Sequence, residues 1–188
     1  MLDIVKCDRS HLVDIGSSLI GLYQEVFAEP PECQVWLESE LIAIFNQYVA
    51  EGHLFLAEAN SKVIGFCAAI PLTASKIWHS GASDGFIKYT LDAETLYFKF
   101  GIDALHSWYI PDLGVASSHR KRGVATQLMQ VAMQAGAPIL IRVSLCRKGA
   151  IALYKKLGFK PMGLFQTAGY KQCDGSVKVF EKMLMILS

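Results

Sequence analysis

The chain has few charged residues, and neither sign of charge is in excess. Charged residues make up 19% of its 188 residues, and 18 Lys and Arg against 17 Asp and Glu leave a net charge of +1. A near-neutral chain has no overall field that attracts nucleic acid or an anionic membrane, so such binding needs a local basic patch. Hydrophobic residues make up 52%, the reverse of the balance in disordered chains. The composition predicts a single folded domain over residues 1–188.

The sequence also lacks a paired-cysteine motif. Its five cysteines are widely spaced and odd in number, and no two of them form a C-x-x-C motif. This pattern argues against a disulfide framework and against a structural zinc site. We therefore expect a reducing, cytoplasmic environment and no bound metal.

Long hydrophobic runs are absent as well. The most apolar stretch, residues 63–72, contains Gly65 and Pro71 and has about half the length of a membrane-spanning helix. We expect no secretory signal, because Asp3 and Lys6 interrupt the N-terminus before an apolar run can form. The high apolar content instead predicts a deep core, an apolar ligand groove or an interface between two copies, so a homodimer is one expectation.

Hydrophobic periodicity predicts a mixed α/β domain around one central sheet. Apolar residues recur every three or four positions over 12–26 and 37–48, which predicts two amphipathic helices, the first capped by Ser10 and the second ended by Gly52. Residues 53–59 and 62–72 predict an antiparallel hairpin, and residues 104–116 have the character of a strand. The rest of the chain predicts alternating strands and helices that end in two closing strands, an order typical of an α/β fold.

Residues 73–103 interrupt this order. They show no clear period and carry several glycines and aromatic residues, so we predict an irregular insert with some helix. The segment is too long for an idle connection and too aromatic for a linker. We expect it to form a lid or a wall of a substrate site.

A basic loop follows the strand that ends at Val115. Residues 117–123 read Ser-Ser-His-Arg-Lys-Arg-Gly and lead into a predicted helix. The first N–H groups of a helix have no helical partners, and the helix dipole adds positive potential there. Gly123 lets the backbone approach a ligand closely, and Ala125 leaves room for it. The loop therefore predicts a cradle for phosphate, large enough for a pyrophosphate.

The loop is neither a P-loop nor the G-x-G-x-x-G fingerprint of dinucleotide-binding folds. A basic, capped helix start on the surface is the alternative interpretation. A second pattern argues against that alternative. Residues 150–159, with the pattern A-x-x-x-Y-x-x-x-G-F, follow the apolar strand 139–145, so that two strand–helix pairs succeed each other.

Together the two segments resemble the GNAT superfamily of acyl-CoA-dependent N-acyltransferases. Residues 120–125 match its [QR]-x-x-G-x-[GA] loop, which holds the pyrophosphate of coenzyme A, and residues 150–159 match the helix whose tyrosine lies beside the sulfur. The resemblance implies an acetyl-CoA-dependent N-acetyltransferase without a metal. It also implies a central, mostly antiparallel sheet of about six to seven strands flanked by about four helices.

The resemblance assigns roles to individual residues. Tyr154 would protonate the leaving thiolate, although packing against the sheet is the alternative. The backbone of the strand that carries Leu113 and Val115 would bulge, bind the pantetheine arm and polarise the thioester carbonyl. The implied cofactor-binding residues are Leu113, Gly114, Val115, Arg120, Lys121, Arg122, Gly123, Val124, Ala125, Thr126 and Arg147.

Two positions depart from the family pattern. Arg147 stands where many relatives carry an Asn that contacts coenzyme A. Pro111 stands where some relatives carry a Glu that helps to deprotonate the amine, and a proline cannot act as a base. The base therefore stays open among a water chain and four side chains: Asp112, Glu25, Glu29 and His106.

The end of the first helix resembles the segment that flanks the acceptor cleft in this family. Tyr23 and Phe27 lie four residues apart on one face, and we predict that they bind substrate in an apolar slot near a carboxylate. Such a slot suits a cationic amine or a peptide N-terminus, while core packing is the alternative. Two other functions stay open: transfer to aminoacyl-tRNA, which needs a basic surface, and a non-catalytic acyl-CoA sensor, which Pro111 and Arg147 would favour.

Overall fold

The computed structural model describes residues 2–188, which form ten strands and five α-helices. The strands are β1 (Leu2–Cys7), β2 (His53–Ala59), β3 (Lys62–Pro71), β4 (Gly81–Ser83), β5 (Lys88–Thr90), β6 (Trp108–Ile110), β7 (Leu113–Val115), β8 (Ile139–Ser144), β9 (Lys160–Lys171) and β10 (Val177–Leu187). The helices are α1 (Arg9–Phe27), α2 (Glu38–Glu51), α3 (Ala93–Phe100), α4 (Val124–Ala132) and α5 (Lys148–Lys156).

These elements fall into two units that alternate along the chain. The first unit comprises Met1–Ala69, Asp112–Gln134 and Tyr170–Lys178, and the second comprises Ile70–Pro111, Ala135–Gly169 and Val179–Ser188. That both units form a single N-acetyltransferase domain stays a prediction.

In the first unit a small antiparallel sheet carries helices on both faces. β1 pairs with β2, β2 with β3, and β3 with β7. Phe66 of β3 stacks on Tyr23 of α1, with ring centroids 5.3 Å apart. Successive strand residues face opposite sides, and a Cβ on the neighbouring Gly65 would lie 3.1 Å from Leu128 of α4. α1 and α4 therefore cover opposite faces of β3.

The second unit is built on β8, whose residues Ile139–Ile141 are buried. β8 pairs in parallel with β6 and antiparallel with β10. The short β4–β5 hairpin joins β9, and the last two residues of β3 pair with β6. The apolar run of β8 is what a strand with both faces covered requires.

The mixed α/β class with a mostly antiparallel sheet is confirmed, although residues 2–188 contain more strands and helices than expected. The hairpin of β2 and β3 and the end of α2 at Gly52 agree with prediction. The segment predicted as one strand over 104–116 holds a 3-10 turn at Ala104–His106 and then two strands. They are separated at Pro111, which has no N–H to donate to a ladder.

The N-terminus departs from the sequence prediction. Asp8, and not Ser10, caps α1, because its carboxylate accepts the backbone N–H of His11. This hydrogen bond is the first cause of the lowered pKa of Asp8. Residues Leu2–Cys7 form β1, which the sequence did not predict. The strand is fixed by its long-range pairing with β2, a contact that local periodicity does not encode.

The insert at 73–103 is more regular than predicted, since it contains β4, β5 and α3. Asp92 caps α3 by accepting the N–H of Thr95. The ammonium of Lys99 lies 4.0 Å from the ring centroid of Tyr89, which joins α3 to β5. The role of the insert as a lid or a wall stays a prediction.

We predict that Gly114→Ala destabilises the fold. A Cβ at this position would lie 2.4 Å from Cζ of Phe66, whose ring is completely buried and stacked on Tyr23. Overpacking of this kind typically costs about 1–3 kcal/mol in the free energy of unfolding, which urea denaturation measures. Gly16→Ala in α1 is the control, because a Cβ there meets no described atom within 4 Å. It should leave the fold as stable or more stable. Equal stability of wild type and Gly114→Ala would contradict the packing argument.

Candidate active site

The loop before α4 has the conformation that a phosphate cradle requires. Lys121 and Gly123 both have positive φ, 60° and 83°, so the chain turns sharply before the helix. Gly123 is the N-cap of α4 and makes no side-chain capping bond. Arg120, Lys121 and Arg122 are exposed, Val124 is buried, and Ala125 and Thr126 complete the first turn. The helix terminus and three cations together can hold a pyrophosphate.

Arg120 is tied to two other parts of the first unit. Its Nε donates to the carbonyl of Val115 at 3.0 Å, and its guanidinium donates to Oε2 of Glu29 at 2.7 Å. A second contact runs in parallel, since the hydroxyl of Ser117 donates to Oε1 of Glu25 at 3.3 Å. The cradle is therefore attached to the end of α1, a link that the sequence did not predict.

The backbone of β7 is oriented as the predicted thioester contact requires. Gly114 pairs with Phe66, and the carbonyl of Asp112 accepts the N–H of Ala68. Backbone groups alternate in direction along a strand, so those of Leu113 and Val115 point away from β3. Within the described residues of the first unit, no other strand pairs with that edge. The edge can accept an extended pantetheine arm.

A carboxylate held by two phenols lies directly before β7. Tyr23 of α1 donates to Oδ2 of Asp112 at 3.1 Å, and Tyr48 of α2 donates to the same oxygen. Both tyrosines are buried, whereas Asp112 is half-buried. The cluster joins two helices to the start of β7, and no local sequence signal could have revealed it.

Aromatic rings surround this cluster. The ring of Tyr23 lies 4.4 Å from Phe27, 5.7 Å from Trp36 and 5.6 Å from Phe45, measured between centroids. Phe27 and Trp36 are half-buried, and Tyr23 is 2% exposed. Tyr23 is thus a core residue with a polar function at its tip, while Phe27 stands nearer the surface. Substrate binding by either residue stays a prediction.

The segment that follows α1 is covered by the end of the β9–β10 hairpin. The N–H of Val35 donates to the carbonyl of Lys171 at 2.9 Å, and the amide of Gln172 donates to the carbonyl of Glu32 at 2.9 Å. The same segment reaches the aromatic rings, because Gln24 of α1 donates to the carbonyl of Trp36 at 3.0 Å. Sequence reasoning missed this wall of the first unit.

Tyr154 and Arg147 belong to the second unit. Tyr154 is half-buried on α5, and its ring centroid lies 6.0 Å from that of the buried Phe159. Arg147 is the N-cap of α5 and donates its backbone N–H to the carbonyl of Ser144 at 3.0 Å. His106 is exposed and pairs with Asp103 at 2.6 Å. The remaining predicted site residues all lie in the first unit.

Two absences within residues 2–188 bear on the site. Their His, Cys, Asp and Glu side chains form no group of three that could hold a metal ion. None of their helices combines the length and the apolar character needed to cross a bilayer.

Comparison with known proteins gives one family match and many similar folds. The model of the "Acetyltransferase (GNAT) family" matches residues 19–159. No curated protein sequence matches the chain significantly. Similar solved structures include the ribosomal-protein-S18-alanine N-acetyltransferase of Escherichia coli (16% identity, TM-score 0.61, covering 100% of this chain and 93% of that one). A second similar structure is an N-acetyltransferase of Staphylococcus aureus Mu50 (17% identity, TM-score 0.65, covering 100% of this chain and 98% of that one). A third is Arabidopsis thaliana NAA60 with a bisubstrate analogue (18% identity, TM-score 0.57, covering 99% of this chain and 98% of that one).

We predict that Gly123→Asp weakens acetyl-CoA binding more than Gly123→Asn does. Asn and Asp both tolerate a φ of 83°, so the pair isolates the effect of charge from that of backbone strain. A carboxylate beside a pyrophosphate should raise the Kd at least about tenfold relative to Asn, because like charges a few ångströms apart repel by about 1.4 kcal/mol or more. Isothermal titration measures both constants. Equal affinities would argue against a phosphate at this loop.

Arg120→Ala should raise the Kd for acetyl-CoA about tenfold, the scale of one charge-assisted hydrogen bond. Glu29→Gln is the informative partner, because it keeps the side-chain shape and removes the charge that engages Arg120. We expect affinity to rise in Glu29→Gln. Should Glu29→Gln weaken binding as much as Arg120→Ala, the guanidinium would act by holding the loop and not by binding phosphate.

Proposed function

Because the chain belongs to the acetyltransferase (GNAT) family, we propose that it transfers the acetyl group of acetyl-CoA to a primary amine of a small molecule or a peptide. The proposal rests on the arrangement of two features in the first unit. The cradle at Arg120–Ala125 and the outward backbone of β7 lie together, linked by the bond from Arg120 to Val115. Acetyl-CoA needs both features, one for its pyrophosphate and one for its thioester arm.

The amine attacks the thioester directly, with both substrates bound. The N–H groups of α4 and the cations of the loop bind the pyrophosphate. The backbone of Leu113 and Val115 binds the pantetheine arm, and an N–H of this edge stabilises the oxyanion of the tetrahedral intermediate. Tyr154 protonates the leaving thiolate, and Arg147 binds coenzyme A. These roles follow the family motif residue by residue.

The acceptor is a cationic amine. Glu25, Glu29 and Asp112 place carboxylates at the end of α1 and at the start of β7, and Glu29 forms an ion pair with Arg120. The E. coli neighbour acts on an alanine of a ribosomal protein, and NAA60 was solved with a bisubstrate analogue. A peptide N-terminus is therefore the first acceptor to test.

Two further expectations belong to this proposal. The five cysteines all lie within residues 2–188 and form no disulfide there, and Cys146 and Cys173 are exposed, which suits the reducing environment of a cytoplasm. A homodimer is expected from the apolar composition, and sedimentation velocity of the purified protein tests it.

The test is titration with acetyl-CoA, followed by measurement of thiol release against a panel of peptides and small amines. Turnover with a member of the panel supports the enzyme. Binding without turnover across a broad panel would favour the acyl-CoA sensor. Absence of binding would contradict the cradle and the proposal with it.

Tyr154→Phe should lower kcat at least about a hundredfold, the usual contribution of a positioned general acid. The substitution removes one oxygen and keeps the ring that packs near Phe159, so the fold and the Kd for acetyl-CoA should stay unchanged. Stopped-flow thiol release and isothermal titration give the two quantities. An unchanged kcat would assign Tyr154 to packing alone.

A further inference from the structure

The reaction requires a group that takes a proton from the acceptor amine, and Pro111 cannot serve as that group. An α-amino group has a pKa of about 7.7–8.0 and an alkylammonium one of about 10.4, so a peptide N-terminus is mostly protonated at pH 7 and an alkylamine almost completely so. Pro111, which stands where some relatives carry a Glu, has no titratable group. Another group must therefore take the proton before the nitrogen can attack.

We propose that Asp112 takes this proton, positioned by Tyr23 and Tyr48. Both hydroxyls donate to Oδ2 and so fix the orientation of the carboxylate. Hydrogen bonds to a carboxylate favour its ionised form, which is the form that accepts a proton. Asp112 is half-buried, and it directly precedes Leu113, whose backbone edge receives the thioester arm in the proposed function. The inference rests on that function.

The other candidate bases lie beside the cradle or at the surface. Glu29 forms a 2.7 Å ion pair with Arg120. Glu25 is exposed and accepts the hydroxyl of Ser117 in the cradle. His106 is exposed in the second unit and pairs with Asp103 three residues before it. Of the four side chains, Asp112 alone is held by buried hydroxyl groups at the edge of β7.

The surroundings of Asp112 strengthen its interaction with a cation. The rings of Phe27 and Trp36 contact the ring of Tyr23, whose hydroxyl binds Asp112, and charges attract more strongly where apolar groups exclude water. The charge of Asp112 also acts on the thiol of Cys67 on β3, whose pKa is raised first by burial and then by this charge. An ammonium near these rings also gains from cation–π attraction.

The nitrogen of the amine loses two protons during the reaction. One N–H bond of the ammonium breaks, its electron pair stays on nitrogen, and the proton bonds to the carboxylate of Asp112. The neutral amine forms a C–N bond with the thioester carbonyl, and the C–S bond breaks. The nitrogen loses a second proton as the amide forms, and that proton leaves with the thiol by way of Tyr154. The products are the amide, coenzyme A as thiol, and one proton that Asp112 returns to water.

The experiment compares wild type with Asp112→Asn on the acceptor that the panel identifies. At pH 7 the kcat/KM of Asp112→Asn should fall at least about a hundredfold, while the Kd for acetyl-CoA stays within about twofold. The deficit in kcat/KM should shrink as the pH rises toward about 9.5, because a larger fraction of the amine then arrives neutral and needs no base. A purely structural role would give a deficit that does not change with pH.

Controls separate the base from the groups around it. Asp14→Asn, on the exposed face of α1, should behave as wild type. The groups that face Asp112 and also titrate are Tyr23 on α1, Tyr48 on α2 and Cys67 on β3. Tyr48→Phe keeps the ring and removes one bond to the carboxylate. It should lower kcat about tenfold at pH 7 and less at high pH, and it serves as the test if Asp112→Asn does not fold.

The outcomes distinguish this inference from the proposed function. Wild-type turnover with full activity in Asp112→Asn, or with a deficit independent of pH, overturns the assignment and leaves the enzyme intact. An unchanged kcat and pH profile in Tyr48→Phe also overturns it. Absence of wild-type turnover on every amine overturns the proposed function, and the assignment falls with it.

Discussion

The hydrogen bonds from Tyr23 and Tyr48 to Asp112 join three segments that are far apart in the sequence. They fix α1 and α2 against the start of β7, and the buried ring of Phe66, stacked on Tyr23, packs against Gly114 of the same strand. A half-buried carboxylate needs such partners, since burying a charge without them is costly. The orientation of β7, and hence of its outward backbone groups, depends on this cluster.

The second link runs through Arg120, which bonds the end of β7 and the end of α1 at once. Tyr23 and Glu29 lie at the last turns of α1 and just beyond it, so that one helix end contacts both the carboxylate cluster and the cradle. In the proposed function, a pyrophosphate bound by Arg120 would compete with Glu29, so the affinity for acetyl-CoA would contain the free energy of that ion pair.

Short sequence patterns predicted the turns and helix ends that neighbouring residues determine. The turn and helix start at Arg120–Ala125 follow from glycine and polar residues, and α2 ends at Gly52, a residue typical of helix ends. The contacts of Asp112 and Arg120 span 64 to 91 residues, and nothing in a short window encodes them. β1 escaped prediction for the same reason, because its pairing partner β2 lies more than forty residues downstream.

Pro111 lies between the end of β6 and the carboxylate of Asp112. Without an N–H it ends β6, and the chain resumes pairing with β3 at the carbonyl of Asp112. The residue after the proline thereby turns its side chain toward α1 and α2, where two phenols receive it. Pro111 thus causes a strand break that orients a carboxylate at the next position. A single-residue shift along a strand reverses the face that a side chain occupies, so Asp112 and Pro111 face opposite sides.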